Sequence, residues 1–128
     1  MAVARSRGFT LIEMLMVVVI IGILVTVMIP RFANTKEKAL VTTMKSDLRN
    51  LASAEESYYY DYSSYTTSLG MMPMFQPSAG VTITVNEATV GGWSATAASN
   101  GTVRQCYLFV GSTAPVGVAT QEGQVACN

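Results

Sequence analysis

The chain has 128 residues, half of them hydrophobic, with eight basic and eight acidic side chains and no histidine. That length points to a single domain, and the balanced charge excludes the basic excess of a dedicated nucleic-acid binder. The lack of histidine excludes Ser-His-Asp and Cys-His catalysis and removes the commonest metal ligand.

Residues 1–8 form a short basic stretch containing Arg5 and Arg7, and an apolar run follows from Phe9 to Ile29. A membrane-spanning helix needs about 20 apolar residues, so the run is long enough. A secretory signal peptide would have a shorter apolar core and an A-x-A-like site after it; this run ends in Ile29-Pro30-Arg31-Phe32. Basic residues flank both ends, so the positive-inside count does not orient the span. Glu13 lies near its start. An ionised side chain within hydrocarbon costs about 2.5–3.5 kcal/mol on insertion scales and is a functional hypothesis by default. Its partner has to come from elsewhere, because the run contains no Lys or Arg. A cut between Gly8 and Phe9 would create one: the new α-amine of Phe9 would share a helix face with Glu13 four residues on, or meet the Glu13 of a neighbouring chain.

The stretch Arg7-Gly8-Phe9-Thr10-Leu11-Ile12-Glu13, followed by about twenty apolar residues, resembles the processing site of type IV prepilins. The resemblance implies cleavage after Gly8 and methylation of the Phe9 amine by a prepilin peptidase, and assembly by a platform protein and an ATPase. It further implies a homo-oligomeric helical filament in which Glu13 acts in assembly. The precursor would sit in the bacterial inner membrane with its N-terminus in the cytoplasm, and the product would be an extracellular pilus. On this reading the chain is not an enzyme, and Gly8 and Phe9 are substrate positions. No cofactor, metal or nucleic-acid partner is expected. The expected division is a leader (1–8), a transmembrane and filament-core helix (9–30) and a globular head (31–128).

Leu40, Met44, Leu48, Leu51 and Tyr58 recur at helical spacing, with Lys36, Lys38, Lys45, Asp47, Arg49 and Asn50 on the other faces. The apolar run and this amphipathic stretch therefore predict one long helix. Gly22, Thr26 and Pro30 weaken it. They stack on one face, Gly and Pro cost about 1 and about 3 kcal/mol against Ala, and Pro30 removes the bond to the Thr26 carbonyl. An ordinary proline kink explains them; in type IV pilins the matching Gly and Pro bracket a segment that unwinds when subunits pack.

Residues 58–68 are rich in tyrosine and read either as a helix end under a sheet or as an exposed contact loop. Glu55 and Glu56, adjacent on a helix, read as solvated charges. Val81-Thr82-Ile83-Thr84-Val85 alternates as a half-buried strand should. A turn at Asn86-Glu87 or Gly91-Gly92 precedes a strand around Trp93–Ala97. Asn100-Gly101 signals a two-residue hairpin into a strand over Thr102–Val110, and Val125–Cys127 reads as a short strand or a pinned loop. The predicted class is α+β: a long N-terminal helix packed on a C-terminal antiparallel sheet of three or four strands. Cys106 and Cys127 read as a disulfide in a chain with an export-like segment, with two free buried thiols as the alternative.

Other readings compete. A type II secretion pseudopilin would share the N-terminus, but its major form usually carries an Asp-rich calcium loop, and residues 81–128 contain no Asp. A basic, aromatic exposed strip would favour a DNA-uptake or other minor pilin, and the sequence lacks one. A single-pass anchored protein would leave Glu13 without a role.

Overall fold

The computed structural model describes residues 8–128, with the backbone alone at Pro30 and Ala33. One long helix, α1 (Leu11–Tyr62), is followed by a short 3-10 turn at Leu69–Met71 and four strands: β1 (Val81–Ala88), β2 (Gly92–Ser99), β3 (Gln105–Gly111) and β4 (Ala126–Cys127). The strands form an antiparallel sheet in the order β1-β2-β3-β4. The chain divides into two compact units between Lys36 and Glu37.

In the second unit, the helical stripe is the core-facing edge of α1. Met44, Leu48 and Leu51 are fully buried, and Tyr58 packs against the same cluster. Across from them β1 buries Val81, Ile83 and Val85 and exposes the threonines between, as its alternation requires. β2 contributes Trp93, Ala95 and Ala97, and β3 contributes Cys106 and Leu108. The two alanines leave room for the larger side chains of α1 and for Trp93. α1 stops at Ser63, whose φ of 54° lies in the left-handed region and whose N–H donates to the Tyr59 carbonyl at 2.8 Å, a helix-ending geometry. The tyrosine tract is split by this stop. Tyr58 is half-buried and stacks on Tyr62, centroids 4.4 Å apart, while Tyr60 stays 89 % exposed.

Three local expectations are corrected. Asn100-Gly101 does turn the chain, the Thr102 N–H donating to the Ser99 carbonyl at 3.3 Å, but the β2–β3 connection spans residues 100–104 rather than two residues, and β3 begins at Gln105, three residues later than Thr102. The cause is α1: Thr102 donates to Glu37 Oε1 at 3.4 Å, Arg104 Nε donates to the same oxygen at 2.7 Å, and Leu40 packs against Gly101. Residues 102–104 thus turn towards the helix. Asp47 does not belong to a solvated face. It is buried and accepts both the N–H (2.9 Å) and the hydroxyl (2.8 Å) of Ser78, tying the helix to the segment entering β1.

Glu55 is likewise not a surface charge. It is 0 % exposed, and Oε2 accepts the Thr66 N–H at 3.1 Å while Oε1 meets no donor among the described residues. Its neighbour Glu56 is exposed and accepts the Tyr65 hydroxyl at 3.0 Å. The two glutamates together hold the loop that follows α1. Burial, then the Glu56 hydrogen bond, pushes the Tyr65 hydroxyl up to about 12. Burial also raises Glu55 above the ordinary carboxyl value, against the pull of the Thr66 N–H, and the nearby Glu56 charge adds to the rise.

Cys106 and Cys127 face each other across β3 and β4 and are joined as a disulfide, with Cα atoms 4.1 Å apart. β4 is only two residues long; the disulfide adds a covalent link to the hydrogen bonds that hold the C-terminal segment, from the Asn128 N–H to the Gln105 carbonyl at 3.2 Å and from the Gln105 N–H to Asn128 Oδ1 at 2.8 Å. Replacing both cysteines by serine should lower stability by about 3 kcal/mol, the chain-entropy value for a ring of this size. Thermal melts of the detergent-solubilised protein, with and without reductant, check it; unchanged melting would show that the segment is held by the strand alone.

The Glu55 arrangement fixes the sign of a pH effect. The folded state keeps this proton where the unfolded chain has lost it. The contribution is fully present below the ordinary carboxyl value and is lost as pH rises through the raised one. Denaturant unfolding of wild type and Glu55→Gln from about pH 4 to about pH 8 should therefore show wild type losing stability relative to the variant as pH rises. A pH-independent difference would contradict the assignment.

Candidate functional site

The site lies where α1 begins. Thr10 precedes the first helical residue, and its N–H and hydroxyl both donate to Glu13 Oε2 at 2.8 Å. In return the Glu13 N–H donates to the Thr10 Oγ1 at 3.3 Å. This reciprocal pair is a capping box: two orphan N–H groups of the helix start are satisfied at once. The Thr10 carbonyl begins the helical ladder by accepting the Met14 N–H at 3.2 Å. Glu13 Oε1 makes no hydrogen bond among the described residues, so one carboxylate oxygen stays open to a further donor. Gly8 and Phe9 lie just outside the helix, with Phe9 79 % exposed. Arg5 and Arg7 of the basic stretch lie outside the described residues.

Sequence reading missed Thr10. The signal is local, since Thr-x-x-Glu before an apolar run is the capping-box pattern. The carboxylate now has two relationships, one made within its own helix turn and one available through Oε1.

Beyond the cap the helix shows apolar side chains all round: every large hydrophobic residue from Leu11 to Ile29 is exposed. By length and composition α1 is able to cross a membrane. Gly22, Thr26 and Pro30 all fall inside α1. Apart from its chain neighbours and the surrounding helix backbone, nothing among the described residues lies within 4 Å of where a Gly22 side chain would begin, and the Thr26 hydroxyl donates to the Ile23 carbonyl at 2.8 Å. That bond takes up local backbone capacity at a position where Ser and Thr tend to bend helices. Cys106 and Cys127 belong to the sheet and take no part in the helix start.

The sequence also matches known proteins. Residues 3–29 match the prokaryotic N-terminal methylation motif. The chain is 38 % identical over 72 residues to the type IV major pilin protein PilA of Myxococcus xanthus, covering 54 % of this chain and 33 % of that one. It is 42 % identical over 77 residues to the type II secretion system core protein G of Klebsiella pneumoniae, covering 59 % and 55 %. These two matches thus span about a third and about half of the relatives' own lengths. A longer match, 33 % identical over 100 residues and 76 % of each chain, is to the type IV wide pilus major component PilA4 of Thermus thermophilus. With a methylation motif over an exposed apolar helix, a four-stranded sheet behind it and similarity over most of its length to a pilus component, the chain belongs to the type IV pilin family of structural subunits, which are not enzymes.

Proposed function

We propose that the chain is the structural subunit of an extracellular type IV pilus, made as an inner-membrane precursor and polymerised through α1. The observation that carries this is the extent of the PilA4 match. A 100-residue match in a 128-residue chain has to reach the strands that begin at Val81, whereas the 77-residue match to core protein G passes Tyr62 but need not reach them. The pilus reading is therefore supported by head as well as helix. The pseudopilin reading remains the second one because the secretion proteins match at similar identity. Residues 81–128 offer no Asp, and no three His, Cys, Asp or Glu side chains gather to hold a cation among the described residues; both facts weigh against the calcium-loop subtype.

On this reading residues 1–8 are a leader removed by a prepilin peptidase, 9–30 form the filament core and 31–128 the head. Cleavage after Gly8 leaves the Phe9 amine beside the capping box. The open Glu13 Oε1 then accepts from that amine, in the same chain or in the copy below, while Oε2 keeps the cap. A buried carboxylate is tolerable only when paired, so the pair sets axial register: positions where no amine faces Glu13 are rejected. The segment Gly22–Pro30 is helical in lipid, where every backbone group must be satisfied internally. It opens in the filament, where neighbouring chains bury the freed groups.

Sheared surface filaments should contain this subunit starting at Phe9 with a methylated amine, read by intact mass. Subunit confined to the cell envelope would favour the pseudopilin reading, and filaments retaining residues 1–8 would refute the processing step. Two substitutions separate the roles of Glu13. Glu13→Gln keeps a capping-box side chain but removes the charge, whereas Glu13→Ala removes both. Both variants should insert and be cleaved, and both should lose most filament yield. Normal yield from Glu13→Gln would reduce Glu13 to a helix cap.

A further inference from the structure

Past the point where α1 leaves the core, its last turns and the loop at Met71–Met74 enclose a cleft of about 240 Å³. Its walls include Ser57, Tyr58, Asp61, Tyr62, Met72 and Met74. The volume falls below the roughly 300–1,000 Å³ of sites for drug-sized ligands, which suits one long side chain. The chemistry is that of a cation site. Tyr58 and Tyr62 stack as a pair, with centroids 4.4 Å apart, and offer aromatic faces. Three thioethers, of Met71, Met72 and Met74, add polarisable surface, and Asp61 adds a carboxylate that has no ion-pair partner among the described residues, where Arg104–Glu37 is the ion pair present. Tyr62, Met71 and Met74 are exposed around it, Met74 at 97 %.

The head also carries the complement. Along the head portion of α1 the exposed charges sort by sign. Lys38 and Arg49 come first, Glu56 and Asp61 last; Glu37 is held by Arg104, and Asp47 is buried on Ser78. Arg49 and Asp61 are 12 residues apart, about 18 Å along the helix at 1.5 Å per residue, so they do not meet within one chain. The Arg49 side chain has no hydrogen bond or ion pair among the described residues, whereas the Arg104 guanidinium is taken by Glu37 and the Asn128 carbonyl. Guanidinium stacks on aromatic faces and pairs with carboxylate in a way ammonium does not.

We propose that the Asp61 cleft takes the Arg49 side chain of a second copy of this chain. The contact rests on the filament reading above. It is heterologous, one patch meeting a different patch on the next copy, and a contact of that kind repeats without closing on itself and builds an open helix. It gives the heads a register of their own, separate from the one set at Glu13.

The test is a charge swap in the full-length chain, in cells that assemble filaments. Asp61→Arg and Arg49→Asp should each lower the ratio of sheared filament to membrane subunit by about fivefold or more, the scale of one cation–π and ion-pair contact. The double variant should recover most of the loss. Normal filament yield from either single variant, or a double variant no better than the singles, overturns the contact. A second variant guards against misfolded heads: with Arg49→Cys and Asp61→Cys in one chain, sheared filaments should run as a ladder of disulfide-linked multimers without reductant. Wild-type filaments together with no ladder overturn this proposal alone; absence of wild-type filaments overturns the filament reading and this contact with it.

Discussion

The apolar surface of α1 from Leu11 to Ile29 is exposed among the described residues, and the rest of the account follows from the need to cover it. Burying one Val, Leu, Ile or Met side chain is worth about 1.5–3 kcal/mol. More than a dozen such residues lie exposed here, so leaving them in water would cost more than the 5–15 kcal/mol that typically holds a domain folded. Lipid is one cover and other copies of the same surface are another. Valine and isoleucine crowd this stretch although they are mediocre helix formers in water; in either apolar surrounding the helix is kept because its backbone groups find partners within the segment. A carboxylate at the start of such a surface is then costly unless bonded. The capping box with Thr10 meets half of that need and fixes where the helix begins.

The head answers a different problem. It is small, and small domains bury too little to be comfortable. The second half of α1 supplies Met44, Leu48 and Leu51, which with Trp93 of β2 are the largest fully buried apolar side chains of its core, and two carboxylates of the same helix act as ties. Asp47 holds the approach to β1 through Ser78, and Glu55 holds the loop after α1 through Thr66. The disulfide adds a covalent tie at the far end of the chain, where a two-residue strand could not hold alone. Each tie joins the sheet or its loops to the helix or to a neighbouring strand.

Much of this was legible in the sequence where a short-range period decides the outcome. The stripe Leu40-Met44-Leu48-Leu51 and the alternation Val81–Val85 each needed only their own spacing, and burial follows both. The misses share a cause. Glu55 reads as solvent-facing until Thr66, eleven residues on, donates to it, and Asp47 until Ser78, thirty-one residues on, does the same. Asn100-Gly101 is a hairpin signal on its own, but Glu37 and Leu40 in the helix pull residues 101–104 out of the ladder. Thr10 is the exception: Thr-x-x-Glu is a short-range pattern, and the cap it signals forms as the pattern requires.

The central claim is that one helix serves two surroundings, closed by its cap and Glu13 in the membrane and joined to other copies in the filament. A side-chain-resolution map of the assembled filament tests it most directly. The account predicts the Phe9 amine within hydrogen-bond distance of a Glu13 carboxylate and a break in helical hydrogen bonding between Gly22 and Pro30. A straight, unbroken helix through that segment, with Glu13 facing no amine, would contradict it.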